Sequence, residues 1–148
     1  SSQTEAGVIV TGTASKAEHS GWWKHQYAGV GSTQLDAATA GGYLEIVNAV
    51  SGVFSETVSL ATAADAHAVL SPKSGDRRAR ARAALLIAWL QFASGAVSWD
   101  AVVPQGGGSS VGFLALMSAS ESAISAGATT AAQLLEVERR LGKVGKAD

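Results

Sequence analysis

The chain has 148 residues, enough for one domain with a single hydrophobic core. Hydrophobic residues make up 47% of it and charged residues only 16%, against a usual charged share of about 25%, so small and uncharged polar residues dominate its surface. The net charge of -1 excludes a global field that would recruit nucleic acid or anionic lipid, and the lack of cysteine excludes disulfides, thiol nucleophiles and zinc ribbons.

The amino-terminal stretch GVIVTGTA, residues 7–14, alternates β-branched residues and carries no charge, which predicts a short strand or extended arm. No neighbouring segment has the pattern of a partner strand. We therefore expect Val8, Ile9 and Val10 to pair with an edge in a preceding domain or in another chain. The predicted arm spans residues 1–18, and the predicted helical domain spans residues 19–148.

Helical periodicity begins near residue 32. Ser32 or Thr33 is predicted to cap a helix that runs to about Phe54, because apolar residues recur there at three- and four-residue steps. Two adjacent glycines, Gly41 and Gly42, indicate that this helix starts after them or that another backbone packs closely against them.

The segment from residue 55 to 60 is predicted to be a loop, and Thr62 to cap a short helix ending near Leu70. The strongest helix is predicted over residues 77–93, capped by Ser74 or Asp76. Its second half is apolar nearly all round, which places it at the centre of the fold.

The carboxyl-terminal third is predicted to hold two more helices. Gly95 ends the central helix, Ser98 caps a single helical turn, and residues 104–110 form a flexible loop. Helices follow at about 111–126 and 131–144, the latter capped by Thr129 or Thr130, and the last residues fray into solvent. The sequence therefore predicts an all-α fold, a compact bundle of five or six helices with a short extended arm.

The segment GWWKHQYAGVG, residues 21–31, holds the densest group of aromatic and polar side chains. One interpretation is a binding face in which Trp22, Trp23 and Tyr27 stack on sugar rings or on a partner, with Lys24 and His25 beside them. The favoured interpretation is that a tryptophan closes one end of the bundle while Lys24 and His25 point to water.

Metal binding and cofactor binding are not expected. His19 and His25 are six residues apart, a spacing that brings them to one face of neither a helix nor a strand, and His67 lies in another segment. No paired-histidine motif of a zinc site is present.

The cluster RRARAR, residues 77–82, does not form a single stripe that would read a nucleic-acid groove. Arg78 and Arg82 share one helix face, whereas Arg77 and Arg80 share another. We expect a solvated or ion-paired surface, with acidic partners among Asp65, Asp76, Glu136 and Glu138.

Catalysis is the weaker hypothesis, and no catalytic residue is assigned. The sequence has no G-x-S-x-G nucleophile elbow. The acids Glu45, Glu56 and Asp100 have the character of site residues, but none has an evident catalytic partner. A small hydrolase would need a pocket in which a carboxylate and His25 or His67 meet.

Three strings, GWWKHQYAG (21–29), VFSETVSL (53–60) and RARAALLIAWLQFASGAVSWDAVV (80–103), carry a resemblance. Together they resemble the helical module at the carboxyl end of large exported bacterial proteins built from tandem β-sandwich repeats. The resemblance runs from about His19 to the end of the chain. It implies secretion or a cell-surface location, and it would place residues 7–14 at the junction with a preceding β-sandwich domain.

Members of that family often carry an acidic, calcium-loop-like Asp-x-Asp-Gly-Asp-Gly run after the Trp-Asp string. The corresponding residues here, 103–110, include no carboxylate. Calcium requires several oxygen ligands with carboxylates among them, so no calcium site is expected.

The sequence thus favours a non-enzymatic, exported or cell-surface module that acts through contact with other protein chains or copies of itself. Self-assembly through the arm is the leading route, by strand addition. The alternative is a carbohydrate- or surface-binding module that recognises polysaccharide with exposed tryptophan and tyrosine. Nucleic-acid binding is not expected, because the net charge is -1. Membrane insertion is not expected either, since the longest apolar stretch, residues 83–93, is far shorter than the roughly 20 residues of a bilayer span.

Overall fold

The computed structural model describes residues 10–29 and 33–147, and Val8 and Ile9 of the predicted arm therefore lie outside the described residues. The fold is mostly helical, with one small two-stranded antiparallel sheet. The α-helices and strands of the described residues are α1 (Ser20–Gln26), α2 (Ala37–Val50), α3 (Ala63–Val69), α4 (Arg77–Ala93), β1 (Val102–Gly106), β2 (Ser109–Gly112), α5 (Phe113–Ser125) and α6 (Ala131–Leu141).

The long helix α4 is the centre of the fold, as its apolar composition predicts. It packs against α2, α3, α5 and α6. Leu85, Leu86 and Leu90 are fully buried, and around them every residue from 88 to 93 is buried as well. Apolar residues on all sides of the second half of α4 are therefore matched by neighbours on all sides.

Three of the predicted helix starts are confirmed. The side chains of Thr62, Asp76 and Thr130 accept hydrogen bonds from the third residues of α3, α4 and α6. The predicted start of α2 was wrong, because Asp36 caps that helix by accepting from the Thr39 amide at 2.7 Å. Thr33 lies before the helix, and its hydroxyl donates to the Leu35 carbonyl.

The two glycines of α2 lie inside the helix, and neither explanation offered for them holds. A Cβ added to Gly41 or Gly42 would have no neighbour within 4 Å. No other backbone approaches them there, and α2 passes through both. Burial of Leu44 and Val47, further along α2, offsets the low helix propensity of the two glycines.

The segment predicted as a loop after α2 begins with a π-helical turn, Val53–Thr57. Val53 and Phe54 are buried there, so this turn belongs to the core. The wider turn closes on the Val58 amide, which donates to the Val53 carbonyl at 2.9 Å.

A β-hairpin, residues 102–112, replaces the flexible loop predicted for residues 104–110. A single hydrogen-bonded turn begins at Ser98, where the Ala101 amide donates to the Ser98 carbonyl at 3.1 Å. β1 and β2 pair with Val103 opposite Val111, and the connection uses Gly106, Gly107 and Gly108 at φ of 89°, 61° and 82°. Only glycine adopts three such angles in succession without strain, and the glycine run therefore forms a defined turn. The strand predicted at residues 7–14 is not found in its described part, where residues 10–14 are extended without a sheet partner.

The carboxyl-terminal residues after α6 do not simply fray. A 3-10 turn, Val144–Lys146, follows α6 and buries Val144 against the bundle. This turn contacts both α4 and β1, so it ties the end of the described chain to the hairpin.

Candidate functional site

The described base of the amino-terminal arm is fixed to the carboxyl end of α4 by backbone hydrogen bonds. The Gly12 amide donates to the Ala93 carbonyl at 2.8 Å, and the Ala14 amide donates to the Ser94 carbonyl at 2.8 Å. A Cβ on Gly12 would lie 2.7 Å from the Ser94 carbonyl oxygen, and one on Gly95 would clash with the Gly12 carbonyl oxygen. Only two glycines permit so close an approach of the two backbones.

A second attachment lies four residues further along the arm. The amide of the buried Gln91 side chain donates to the Glu18 carbonyl at 2.5 Å, and its oxygen accepts from the Glu18 amide at 3.2 Å. Gln91 is the polar residue in the apolar half of α4, and this pairing explains its burial. The arm is therefore held from residue 12 to residue 18, and Val10, 57% exposed, lies just beyond the held part.

The aromatic segment 21–29 is mainly part of the core. Trp23 and Tyr27 are each only 1% exposed, and the Tyr27 hydroxyl donates to the Ala40 carbonyl at 2.9 Å. Trp22 is half-buried and packs edge-on against Trp23, with 4.8 Å between ring centroids. Burial raises the pKa of Tyr27 well above its usual range, as expected of a phenol inside a bundle. Trp23 and Tyr27 are thus not available to stack on a ligand.

Two polar residues of the same segment lie at the surface, whereas Gln26 is buried and hydrogen-bonded to Gln34 and Leu35. Lys24 and His25 are exposed near the end of α1, and His19 begins that helix, where its Nδ1 accepts from the Trp22 amide at 3.1 Å. His67 lies on α3. Within residues 10–29 and 33–147, no three histidine, aspartate or glutamate side chains are close enough together to hold a metal ion.

Three of the four arginines at the start of α4 are ion-paired or hydrogen-bonded, in agreement with the predicted ion-paired surface. Arg80 lies 3.1 Å from Glu138 of α6, and Arg77 lies 3.9 Å from the same carboxylate. Arg78 donates to the carbonyl of Ile124 at the end of α5. These contacts connect α4 to the last two helices, which gives the cluster a role in the fold.

The three acids singled out in the sequence lie on different elements. Glu45 is exposed on α2, Glu56 is exposed in the π-helical turn, and Asp100 is exposed just before β1, where Ser98 donates to its carboxylate. Asn48, the neighbour of Glu45, donates to the carbonyls of Leu44 and Leu60 and so serves the packing of α2.

Sequence reasoning missed Glu121 of α5, whose carboxylate bonds to three segments that are distant in sequence. Glu121 accepts hydrogen bonds from the Ser51 hydroxyl at 2.5 Å, the Trp89 indole N–H at 2.8 Å and the Val53 amide at 2.9 Å. The donors come from the end of α2, from α4 and from the π-helical turn. One carboxylate therefore joins α5 to three other parts of the fold.

Glu121 lies in a cleft of about 630 Å³ between α5 and the π-helical turn, with Trp89 at its inner wall. Glu56 lines the same cleft: a Cβ on Gly52 would lie 3.2 Å from Glu56 Oε2 and 3.8 Å from Glu121 Oε1. The cleft thus brings together two carboxylates, of which Glu121 is internally bonded and Glu56 is exposed.

Exposed apolar side chains lie around the hairpin next to this cleft. Trp99 is 64% exposed, and Val102 of β1 is also exposed. Leu114, exposed near the start of α5, lines the cleft itself. The Phe113 amide donates to the Ala101 carbonyl at 2.9 Å and so joins the base of the hairpin to α5.

A sequence signal for the cleft did exist. Glu121 is the one charged residue of α5, and the cleft-lining residues of α5 recur at three- and four-residue steps, which defines a single helix stripe. The residues of this stripe are Leu114, Met117, Ser118, Glu121, Ser122 and Ser125.

Comparisons of the chain with known protein families, with curated proteins and with solved structures found no match. No helix in the described part of the chain combines the length and the apolar character needed to cross a membrane.

Proposed function

We propose that this chain is a non-enzymatic helical module of an exported or cell-surface protein, that it acts through protein–protein contact, and that its amino-terminal arm joins copies of the chain. The low charge content and the resemblance carried by residues 19–148 support the location. The arm's apolar residues Val8, Ile9 and Val10 supply the intermolecular contact.

The observation that carries this proposal is the docking of Gly12 and Ala14 on the end of α4. These hydrogen bonds fix the base of the arm relative to the bundle. Less conformational entropy is then lost when residues before Gly12 meet a partner. The exposed Val10 lies just before this base in the chain.

The proposal also requires that the bundle folds without the side chains of Val8, Ile9 and Val10. The hydrogen bonds of Gly12, Ala14 and Glu18 follow the contact residues in the chain, and Val10 is 57% exposed. Removal of the contact residues is therefore expected to leave the fold intact.

The test is a variant of unchanged length, Val8→Ser with Ile9→Ser and Val10→Ser. Its solution mass is compared by light scattering with that of the unmodified chain and of a control that lacks residues 1–7 but keeps the three apolar residues. We expect the serine variant to associate more weakly than the unmodified chain, with an unchanged helical circular dichroism spectrum, and the control to associate as the unmodified chain does. Equal assembly of all three chains would contradict the role of the arm.

A further inference from the structure

The cleft along α5 has the form of an acceptor for a helix. Its stripe on α5 begins with the exposed Leu114 and reaches Glu121 two turns later, and Glu56 faces the stripe from the π-helical turn. Grooves with an apolar end and a charged end receive amphipathic helices that carry the complementary pattern.

The walls of this cleft come from parts of the chain that have no basic residue. The sequence has no lysine, arginine or histidine from 26 to 66 or from 83 to 138. All cleft-lining residues fall within these two ranges. The charged side chains among the cleft-lining residues are Glu56 and Glu121, both acidic, which favours a cationic occupant.

A matching stripe lies on the outer face of α6 and the turn after it. Leu135, Arg139 and Lys143 follow one another at four-residue steps, and with Lys146 they line a separate groove of about 280 Å³. Leu135 is exposed, whereas Leu134 and Leu141 face the core. The stripe is apolar at its amino-terminal end and basic at its carboxyl-terminal end.

Two acids lie near this stripe, and each is already paired. Glu136 accepts from Arg139 at 2.6 Å and from Arg140 at 3.0 Å, and Glu138, which lines the groove, pairs with Arg80. Lys143 and Lys146 form no ion pair with any carboxylate in the described part of the chain. Lys143 and Lys146 are therefore available to pair with carboxylates of a partner.

The two stripes match in order and in spacing. Along α6 and the turn after it, about 12 Å separates Leu135 from Lys143, and on α5 about 10 Å separates Leu114 from Glu121, at the helical rise of about 1.5 Å per residue. With the helices parallel, Leu135 would meet Leu114 while Lys143 meets Glu121 and Glu56.

We propose that the α5 cleft of one copy receives the α6 stripe of a second copy in a head-to-tail contact. This deepens the proposed function, on which it rests for the premise that copies of the chain associate, but it uses none of the arm's residues. The cleft and the stripe share no lining residue, so each copy offers both halves of the contact. Contacts of this kind close into rings or extend into filaments.

Two double variants test the contact in the full chain. Glu56→Lys with Leu114→Gln blocks the cleft, and Leu135→Gln with Lys143→Glu blocks the stripe. All four residues lie at the surface, so circular dichroism is expected to stay unchanged. The matched controls are Glu45→Lys and Lys24→Glu, which make the same charge changes at exposed positions of α2 and α1.

Each double variant alone is expected to associate with an affinity reduced by about tenfold or more relative to the unmodified chain. The controls are expected to associate as the unmodified chain does. An equimolar mixture of the two variants is expected to form a one-to-one complex, because an intact stripe then meets an intact cleft. Weakening by salt is expected as well. Unchanged association of both variants, or a mixture that behaves as two separate monomers, would overturn the proposal.

The same measurements separate this inference from the role of the arm. Association that survives both double variants but is lost in the serine arm variant contradicts the head-to-tail contact and supports the arm. The reverse pattern contradicts the arm and supports the contact. A monomeric unmodified chain at every concentration contradicts both.

Discussion

Gly95 lies so close to Gly12 that a side chain on Gly95 would clash with the Gly12 carbonyl oxygen. Gly95 also has a φ of 91°, in the left-handed region that side chains rarely adopt. This single contact joins the end of the central helix to the base of the arm. Its two requirements, backbone conformation and space, can be tested separately.

We expect Gly95→Ala to lower the free energy of unfolding by roughly 1–3 kcal/mol from backbone strain, and further from the clash. Gly107→Ala is the matched control, because Gly107 also has a positive φ of 61° but has no neighbour within 4 Å of an added Cβ. Urea denaturation followed by circular dichroism measures both. Equal losses for the two variants would show that the close approach to Gly12 is not required.

Glu121 is expected to matter for stability more than its exposed neighbour Glu56. Glu121→Ala leaves the Trp89 indole N–H and the buried Val53 amide without their acceptor, at a cost of roughly 1–3 kcal/mol. Glu56→Ala is the control and is expected to change stability by less than about 0.5 kcal/mol, since Glu56 is exposed. The measurement is again urea denaturation. A loss as small for Glu121 as for Glu56 would be evidence against the connecting role of Glu121.

Most of the helical framework was predictable because its signals are local. The bounds of α4, the buried run at residues 85–93 and the caps Thr62, Asp76 and Thr130 all follow from helix periodicity and capping chemistry.

The features that the sequence did not reveal depend on contacts between distant segments. The arm docks through backbone groups at Gly12 and Ala14, which leave no side-chain pattern. Glu121 meets Ser51 and Trp89 only once α2, α4 and α5 have packed together.

The hairpin was missed for a different reason. Its strands have five and four residues and include Pro104, and the glycine run at 106–108 has the composition of a loop. The positive φ angles of that run define the turn, and composition does not encode them directly.

Gly41→Ala is expected to stabilise the protein by roughly 0.5–1 kcal/mol, because Gly41 lies inside α2 and an added Cβ meets no neighbour within 4 Å. The readout is an increase in the midpoint of thermal unfolding. Gly12→Ala serves as the opposite control, since there a Cβ would lie 2.7 Å from the Ser94 carbonyl oxygen. A destabilised Gly41→Ala variant would mean that a neighbour does occupy the space beside α2.

Acid is expected to remove a contribution from Glu136. Hydrogen bonds from Arg139 and Arg140 lower the pKa of Glu136 from 4.5 to about 2. Because the pKa is lower in the folded state, the contribution is present above about pH 4.5 and is lost as the pH falls towards 2.

The check is the difference in free energy of unfolding between the unmodified chain and Glu136→Gln, measured across that pH window. We expect the difference to shrink on acidification and to be smaller at high salt, since these side chains are exposed. A difference that grows as the pH falls would contradict the ion-paired state of Glu136.

Assembly of the chain through protein contact is the central claim, and the solution mass of the unmodified protein tests it most directly. Light scattering over a range of concentrations, at low and at high salt, is the measurement. We predict a mass that exceeds that of one chain and rises with concentration. A mass equal to one chain at every concentration would contradict the claim.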